Sequence, residues 1–114
     1  MTDPHILDRL FATIDARKGA DPETSYTAKL FAKGRGKIAQ KLGEEATETI
    51  VAALSETPEH VASESADLLY HLLVLWAETG VAPADVWAKL QAREGTSGIA
   101  EKASRQTTGS TEKD

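Results

Sequence analysis

With 114 residues, the chain fits one domain, large enough for a core but not for a generous one. A net charge of −5 leaves no basic footprint for nucleic acid, and the absence of cysteine excludes disulfides, thiolate nucleophiles and sulfur-ligated zinc together. Hydrophobic residues make up 40% of the chain and aromatics only 5%, which suits helices packed on helices, with a second copy covering what one copy cannot.

The opening stretch, TDPHILDRLFATIDARKGA, offers Thr2 or Asp3 as a cap and Pro4 at a first helical position. Ile6, Leu7, Leu10, Phe11 and Ile14 follow at helical spacing, and Gly19 ends the helix. No basic segment leads into an apolar run, so no secretory signal is read and the expected location is cytoplasmic. DPETSYTAKLFAKG gives a loop and then a short helix from about Ser25, closing at Gly34. A long helix follows from about Gly36 to Leu54, with Ile38, Leu42, Ala46, Ile50 and Ala53 as its apolar stripe. Gly43 in its middle costs about 1 kcal/mol relative to alanine, and close packing there would explain it.

SETPEH marks a boundary: Ser55 or Thr57 caps, Pro58 takes the first turn, and Glu59 favours the positive end of the dipole. The next helix runs to about Thr79 and stops at Gly80. Val61, Leu68, Leu69, Leu72, Leu73, Leu75 and Trp76 make it apolar around most of its circumference, hence central. Its longest apolar run is far below the ~18 residues a membrane span needs. A fifth helix starts near Pro83 with Val86, Trp87 and Leu90. Beyond Gly95 the chain is polar, with Ile99 its single large apolar residue, so residues 105–114 are expected to form a disordered tail after a domain spanning 1–104. No strand alternation or internal repeat occurs. The predicted fold is all-α: about five helices in a bundle completed by homo-oligomerisation, most simply a dimer.

KLGEEATETI puts carboxylates where burial would be costly without a positive partner. At about 100° per residue, Ile38, Leu42, Thr49 and Ala53 fall within about 60° and define the core face of the long helix. Lys37, Lys41, Glu44 and Glu48 form one strip beside it, with Glu45 between strip and core. On the central helix Val61, Leu68, Leu72 and Leu75 make the core face, and Glu64, Asp67, His71 and Glu78 line its border. Packing the two faces together sets EExxE opposite ExxD. Acids gathered that closely raise one another's pKa values, and a hard divalent cation such as Mg²⁺ resolves the conflict. His71 is the one nearby nitrogen donor for a softer metal. Read alone, EExxE is more often the pattern of a solvated helix face, and the matching ExxD is what tilts the balance toward a site; on the residues alone both readings stay open.

SYTAKLFAKGRGKIAQKLGEEATETIVAAL, followed by ESADLLYHLLVLW and the tail REGTSGIAEKASR, resembles the phosphoribosyl-ATP pyrophosphohydrolase family of histidine biosynthesis. That family belongs to the all-α nucleoside triphosphate pyrophosphohydrolases, with MazG-like and dimeric dUTPase-like proteins, and the resemblance covers roughly residues 4 to 105. It implies Mg²⁺ ligands at Glu45, Glu48, Glu64 and Asp67, with Glu44 as a further ligand or a water-orienting group. It sets Lys41 and Lys37 toward substrate phosphates and assigns no role to Arg93, Lys102 or Arg105. No acid of the pattern is lost, and the cyclohydrolase domain of bifunctional versions is absent from the sequence, so other proteins are expected to perform the neighbouring steps.

The implied reaction is Mg²⁺-dependent hydrolysis of phosphoribosyl-ATP to phosphoribosyl-AMP and pyrophosphate, with Glu44 or Glu48 orienting or deprotonating the attacking water. Without cysteine or a recognisable serine triad, a covalent intermediate is not expected, and GRG at 34 to 36 lacks the Walker pattern and reads as a helix-boundary turn. The same acids would serve a housecleaning hydrolase of dUTP, dCTP or damaged nucleotides. A non-catalytic helical module would instead show no turnover and no stabilisation by Mg²⁺. His5 and His60 read as surface residues, Tyr70 and Trp76 as core or interface.

Overall fold

The computed structural model describes residues 5–94. It holds five helices, α1 (Ile6–Asp15), α2 (Tyr26–Lys33), α3 (Arg35–Ser55), α4 (Pro58–Thr79) and α5 (Pro83–Arg93), and no strand among the described residues. The fold is all-α, as predicted. None of these helices is long and apolar enough to cross a membrane. The expected caps Thr2 and Asp3, Pro4, and the polar tail from Gly95 lie outside the described residues. The chain divides into two compact units, one reaching Pro83 and the other starting at Ala84.

Local chemistry sets most helix ends. Ser25 caps α2, its hydroxyl accepting from the Ala28 amide at 3.1 Å. Thr57 caps α4 by accepting from His60 N–H at 3.3 Å, Pro58 fills the first position, and Gly80 closes the helix in the left-handed region at φ 79°. Gly34 separates α2 from α3 by one residue, at φ 95°, a backbone value that strains any residue with a Cβ. Its N–H bonds back to Leu30 and Phe31 while its carbonyl accepts from Ile38 N–H, so it ends one helix and starts the next. The predicted first helix ended at Gly19. The helix instead stops at Asp15, and a series of turns carries the chain to Gly19.

Only Glu56 and Thr57 join α3 to α4, so the two run antiparallel as a hairpin. At the open end of the hairpin, Arg35 Nε lies 3.6 Å from Glu78 Oε2. Arg35 is exposed and Glu78 half-buried, and the pair marks the register rather than contributing much stability. α1 packs on α4, and α2 on α3. The core gathers Ile14, Leu30, Ile38, Leu73, Val74 and Ala77, with Tyr70 and Trp76 packed against it as expected.

Both core faces are turned from their predicted positions. On α3, Ile38 and Ala52 are fully buried, whereas Ile50 and Ala53 are exposed. The buried face has therefore rotated toward Glu45. On α4 the buried residues are His71, Leu73, Val74 and Ala77, and the expected face of Leu68, Leu72 and Leu75 is only half-buried. A helix apolar on nearly every side has no strong preference of its own; the helices packed around α4, which bring Ile14, Leu30 and Ile38 against it, make the choice. Close packing does not explain Gly43, because a Cβ there would meet nothing within 4 Å.

Candidate active site

The rotation of α3 sends Glu45 toward α4, where it is half-buried. Glu48 lies one turn further along the same side, and the hairpin register brings Glu64, near the start of α4, opposite both. One carboxylate oxygen from each of Glu45, Glu48 and Glu64 lies within 4.8 Å of the others. Glu45, Glu48 and Glu64 would, after a small side-chain closure, hold part of the oxygen shell that Mg²⁺ takes at about 2.0–2.1 Å, water or substrate oxygens supplying the rest. The donors are all hard oxygens and fit Mg²⁺ or a similar cation. Zinc would want nitrogen or sulfur.

Electrostatics describe the same cluster. Loss of hydration pushes the Glu64 carboxyl above the ordinary glutamate range, and the nearby charges of Glu48, Asp67 and Glu45 push it further. Glu44 goes the other way. Gln40 Nε2 donates to it at 2.9 Å and Lys41 Nζ stands 3.2 Å away, and together they hold its carboxyl below the usual range. The Lys41 ammonium is correspondingly held above its ordinary value, chiefly by Glu44. Lys37 adds a weaker pull on Glu44 from two turns back. An open groove runs along this side of α3, lined by Gln40, Lys41, Gly43, Glu44, Thr47 and the two clustered glutamates.

Three of the five predicted ligands therefore meet. Glu44 faces Gln40 and Lys41 instead, and Asp67 stands exposed one turn beyond Glu64, close enough to repel it but outside the three-oxygen cluster. His71, predicted at the polar border as a nitrogen donor, is instead only 6% exposed and has both nitrogens engaged. Its Nδ1 lies 2.8 Å from the Asp67 carbonyl and its Nε2 3.2 Å from the Tyr26 hydroxyl. Thr27 and Tyr70 share a second hydroxyl contact beside it. The SYT segment thus docks onto Tyr70 and His71 of α4, a pairing the helix periodicities did not reveal. His5 and His60 are exposed, as expected.

The helical hairpin is all-α, and the family its sequence matches places it among the all-α pyrophosphohydrolases. Residues 7–94 match the family described as phosphoribosyl-ATP pyrophosphohydrolase. A phosphoribosyl-ATP pyrophosphatase of Azospirillum brasilense is 67% identical over 102 residues, covering 90% of this chain and 92% of that protein. Namesakes from Paramagnetospirillum magneticum and Rhodospirillum rubrum are 67% and 66% identical over 103 residues, covering 90% of this chain and 94% and 88% of theirs. The chain belongs to the phosphoribosyl-ATP pyrophosphohydrolase family, a family of histidine-biosynthetic hydrolases.

Proposed function

We propose that the protein hydrolyses phosphoribosyl-ATP to phosphoribosyl-AMP and pyrophosphate, as a cytoplasmic homo-oligomer that depends on Mg²⁺. The observation that carries the metal reading is the convergence of Glu45, Glu48 and Glu64 across the hairpin. Asp67, one turn on, supplies a fourth carboxylate. When bound there, the cation offsets phosphate charge and acidifies water. To Glu48, the exposed member of the cluster, we assign the orienting of the water that attacks the α-phosphorus, a role its exposure supports. The bond from that phosphorus to the bridging oxygen breaks, and pyrophosphate leaves. Glu44 is the other candidate for the water, but its engagement by Gln40 and Lys41 leaves Glu48 nearer to the task. Lys41 and Lys37 face the phosphates from the turns before. Release of pyrophosphate from phosphoribosyl-ATP, but not from dUTP or dCTP, and only with Mg²⁺ present, is the expected assay result. Equal turnover across the nucleotide panel would move the reading to a housecleaning hydrolase.

Lys41→Ala should raise the Michaelis constant about ten- to a hundred-fold, the loss of one charge-assisted phosphate contact. Stabilisation by Mg²⁺ should barely change, since an ammonium cannot ligate a cation. A collapse of Mg²⁺ affinity with an unaltered Michaelis constant would reverse the assignment.

The pH dependence follows from Glu64. Its folded-state pKa is raised, so without metal the protein keeps this contribution to stability below the ordinary glutamate range and loses it as pH rises through the raised value. Metal needs the ionised carboxylate, so thermal stabilisation by Mg²⁺ should shrink as pH falls through that window. Melting curves at several pH values, with and without Mg²⁺, check both slopes.

The oligomer reading rests on α3. Ile50, Val51 and Leu54 are 60%, 47% and 82% exposed on the last turns of this helix, a patch one copy leaves uncovered. Sedimentation should show a dimer or larger, and Leu54→Asp combined with Ile50→Asp should shift it toward monomer. A well-folded wild-type monomer at micromolar concentration would end this reading.

A further inference from the structure

Tyr26 opens α2 with 52% of its surface exposed, yet its hydroxyl is held from inside the protein. The buried His71 presents Nε2 to it at 3.2 Å. On the far side of the imidazole, Nδ1 lies 2.8 Å from the Asp67 carbonyl oxygen, which can only accept. The ring proton therefore sits on Nδ1, and Nε2 accepts from the Tyr26 hydroxyl. Tyr70 backs the Tyr26 ring, with centroids 6.3 Å apart and planes at 27°, and the hydroxyl of Thr27 holds Tyr70 in turn. A ring held at its hydroxyl, with Tyr70 beside it and about half of its surface exposed, leaves ring surface open to solvent. That arrangement gives little burial in return for its rigidity, but it suits a stacking platform, which must be flat, fixed and open. The platform also has a place along the site. The Tyr26 hydroxyl is joined through His71 to the Asp67 carbonyl, one turn from Glu64, and Lys41 lines the groove on the α3 side. Glu45 is one helical turn, about 6 Å, further along α3. Base, phosphate and metal would then follow one another in the order in which a nucleotide carries them.

We propose that the open face of Tyr26 stacks the purine of the substrate and fixes the base end of the site, with His71 as the positioning residue that holds the ring. This rests on the nucleotide-hydrolysing function proposed above. Two probes separate the two claims: AMP, which carries the base, and inorganic pyrophosphate, which does not. In calorimetric titrations with Mg²⁺, wild type should bind both. Tyr26→Ala should weaken AMP about ten-fold and leave pyrophosphate unchanged, and the Michaelis constant for phosphoribosyl-ATP should rise by a similar factor with kcat near wild type. Tyr26→Trp, which keeps an aromatic face, should retain AMP binding. If Tyr26→Ala does not fold, Tyr26→Leu, which keeps an apolar side chain without a π-face, should give the same split. Equal weakening of both probes, or of neither, overturns the stacking role. Wild-type binding of pyrophosphate without AMP overturns it too and leaves the phosphate reading standing. Binding of neither, with no pyrophosphate released, brings down the functional reading and this inference together.

Discussion

Glu48→Gln should lower turnover by at least about 10²–10³-fold while leaving the fold intact, and without metal even slightly more stable. The substitution keeps the size of the side chain and removes one charge from the group that pushes the Glu64 carboxyl up, so the metal-free cluster is relieved. With metal, the neutral amide is a weaker ligand, and the developing charge on the phosphates loses part of its compensation. Wild type should gain thermal stability from Mg²⁺ by mass action, and the variant should gain less. Asp67→Asn should also lose turnover. Its carboxylate stands outside the three-oxygen cluster, so its role requires a rotation toward Glu64 when the cation binds. A fully active Asp67→Asn beside an inactive Glu48→Gln would reduce the ligand set to the three clustered glutamates. Normal activity in both would make the acids a solvated face and remove the metal reading.

The elements that could be read from the sequence were those whose ends carry their own chemistry. Ser25, Thr57 with Pro58, and Gly80 each satisfy or terminate backbone hydrogen bonds within a few residues, so their positions follow from the local sequence. Orientation about a helix axis was less accessible. The apolar surface of α4 extends too far round to point anywhere, and contacts between distant segments, with Ile14, Leu30 and Ile38 meeting it, settled its core face. The site divides along the same line. Glu45 and Glu48 share a side of one helix by spacing alone, and the short link to α4 puts Glu64 across from them. The direction of Glu44 was hidden, because it depends on which of its neighbours reaches it, and Gln40 does. His71 was hidden for a deeper reason. Its partner Tyr26 lies 45 residues away, and a histidine among leucines gives no periodic sign of having one. Composition led to the expectation of a second copy, and the exposed Ile50, Val51 and Leu54 are the residues on which the proposed dimer rests.

Ile38→Ala should destabilise the protein by about 2–5 kcal/mol, the loss of buried methylenes plus the cavity left behind. Ile38 is fully buried and shares its core with Leu73 and Val74 of α4, so it stands where the two arms of the hairpin meet. Against a total stability of about 5–15 kcal/mol, this is a large fraction. The effect should nonetheless differ in kind from that of Glu48→Gln. Ile38 offers no ligand, so molecules that remain folded keep the carboxylate cluster and should turn over substrate at nearly the wild-type rate. Saturating Mg²⁺ should restore part of the lost stability, because it binds only the folded hairpin. Urea unfolding with and without Mg²⁺, beside activity corrected for the folded fraction, reads both effects. A loss below about 1 kcal/mol would mean that Ile38 does not fill the seam between α3 and α4. A collapse of activity in the folded fraction would mean that the acid cluster tolerates no relaxation of the core beneath it, and that the metal site and the packing of the hairpin are a single unit.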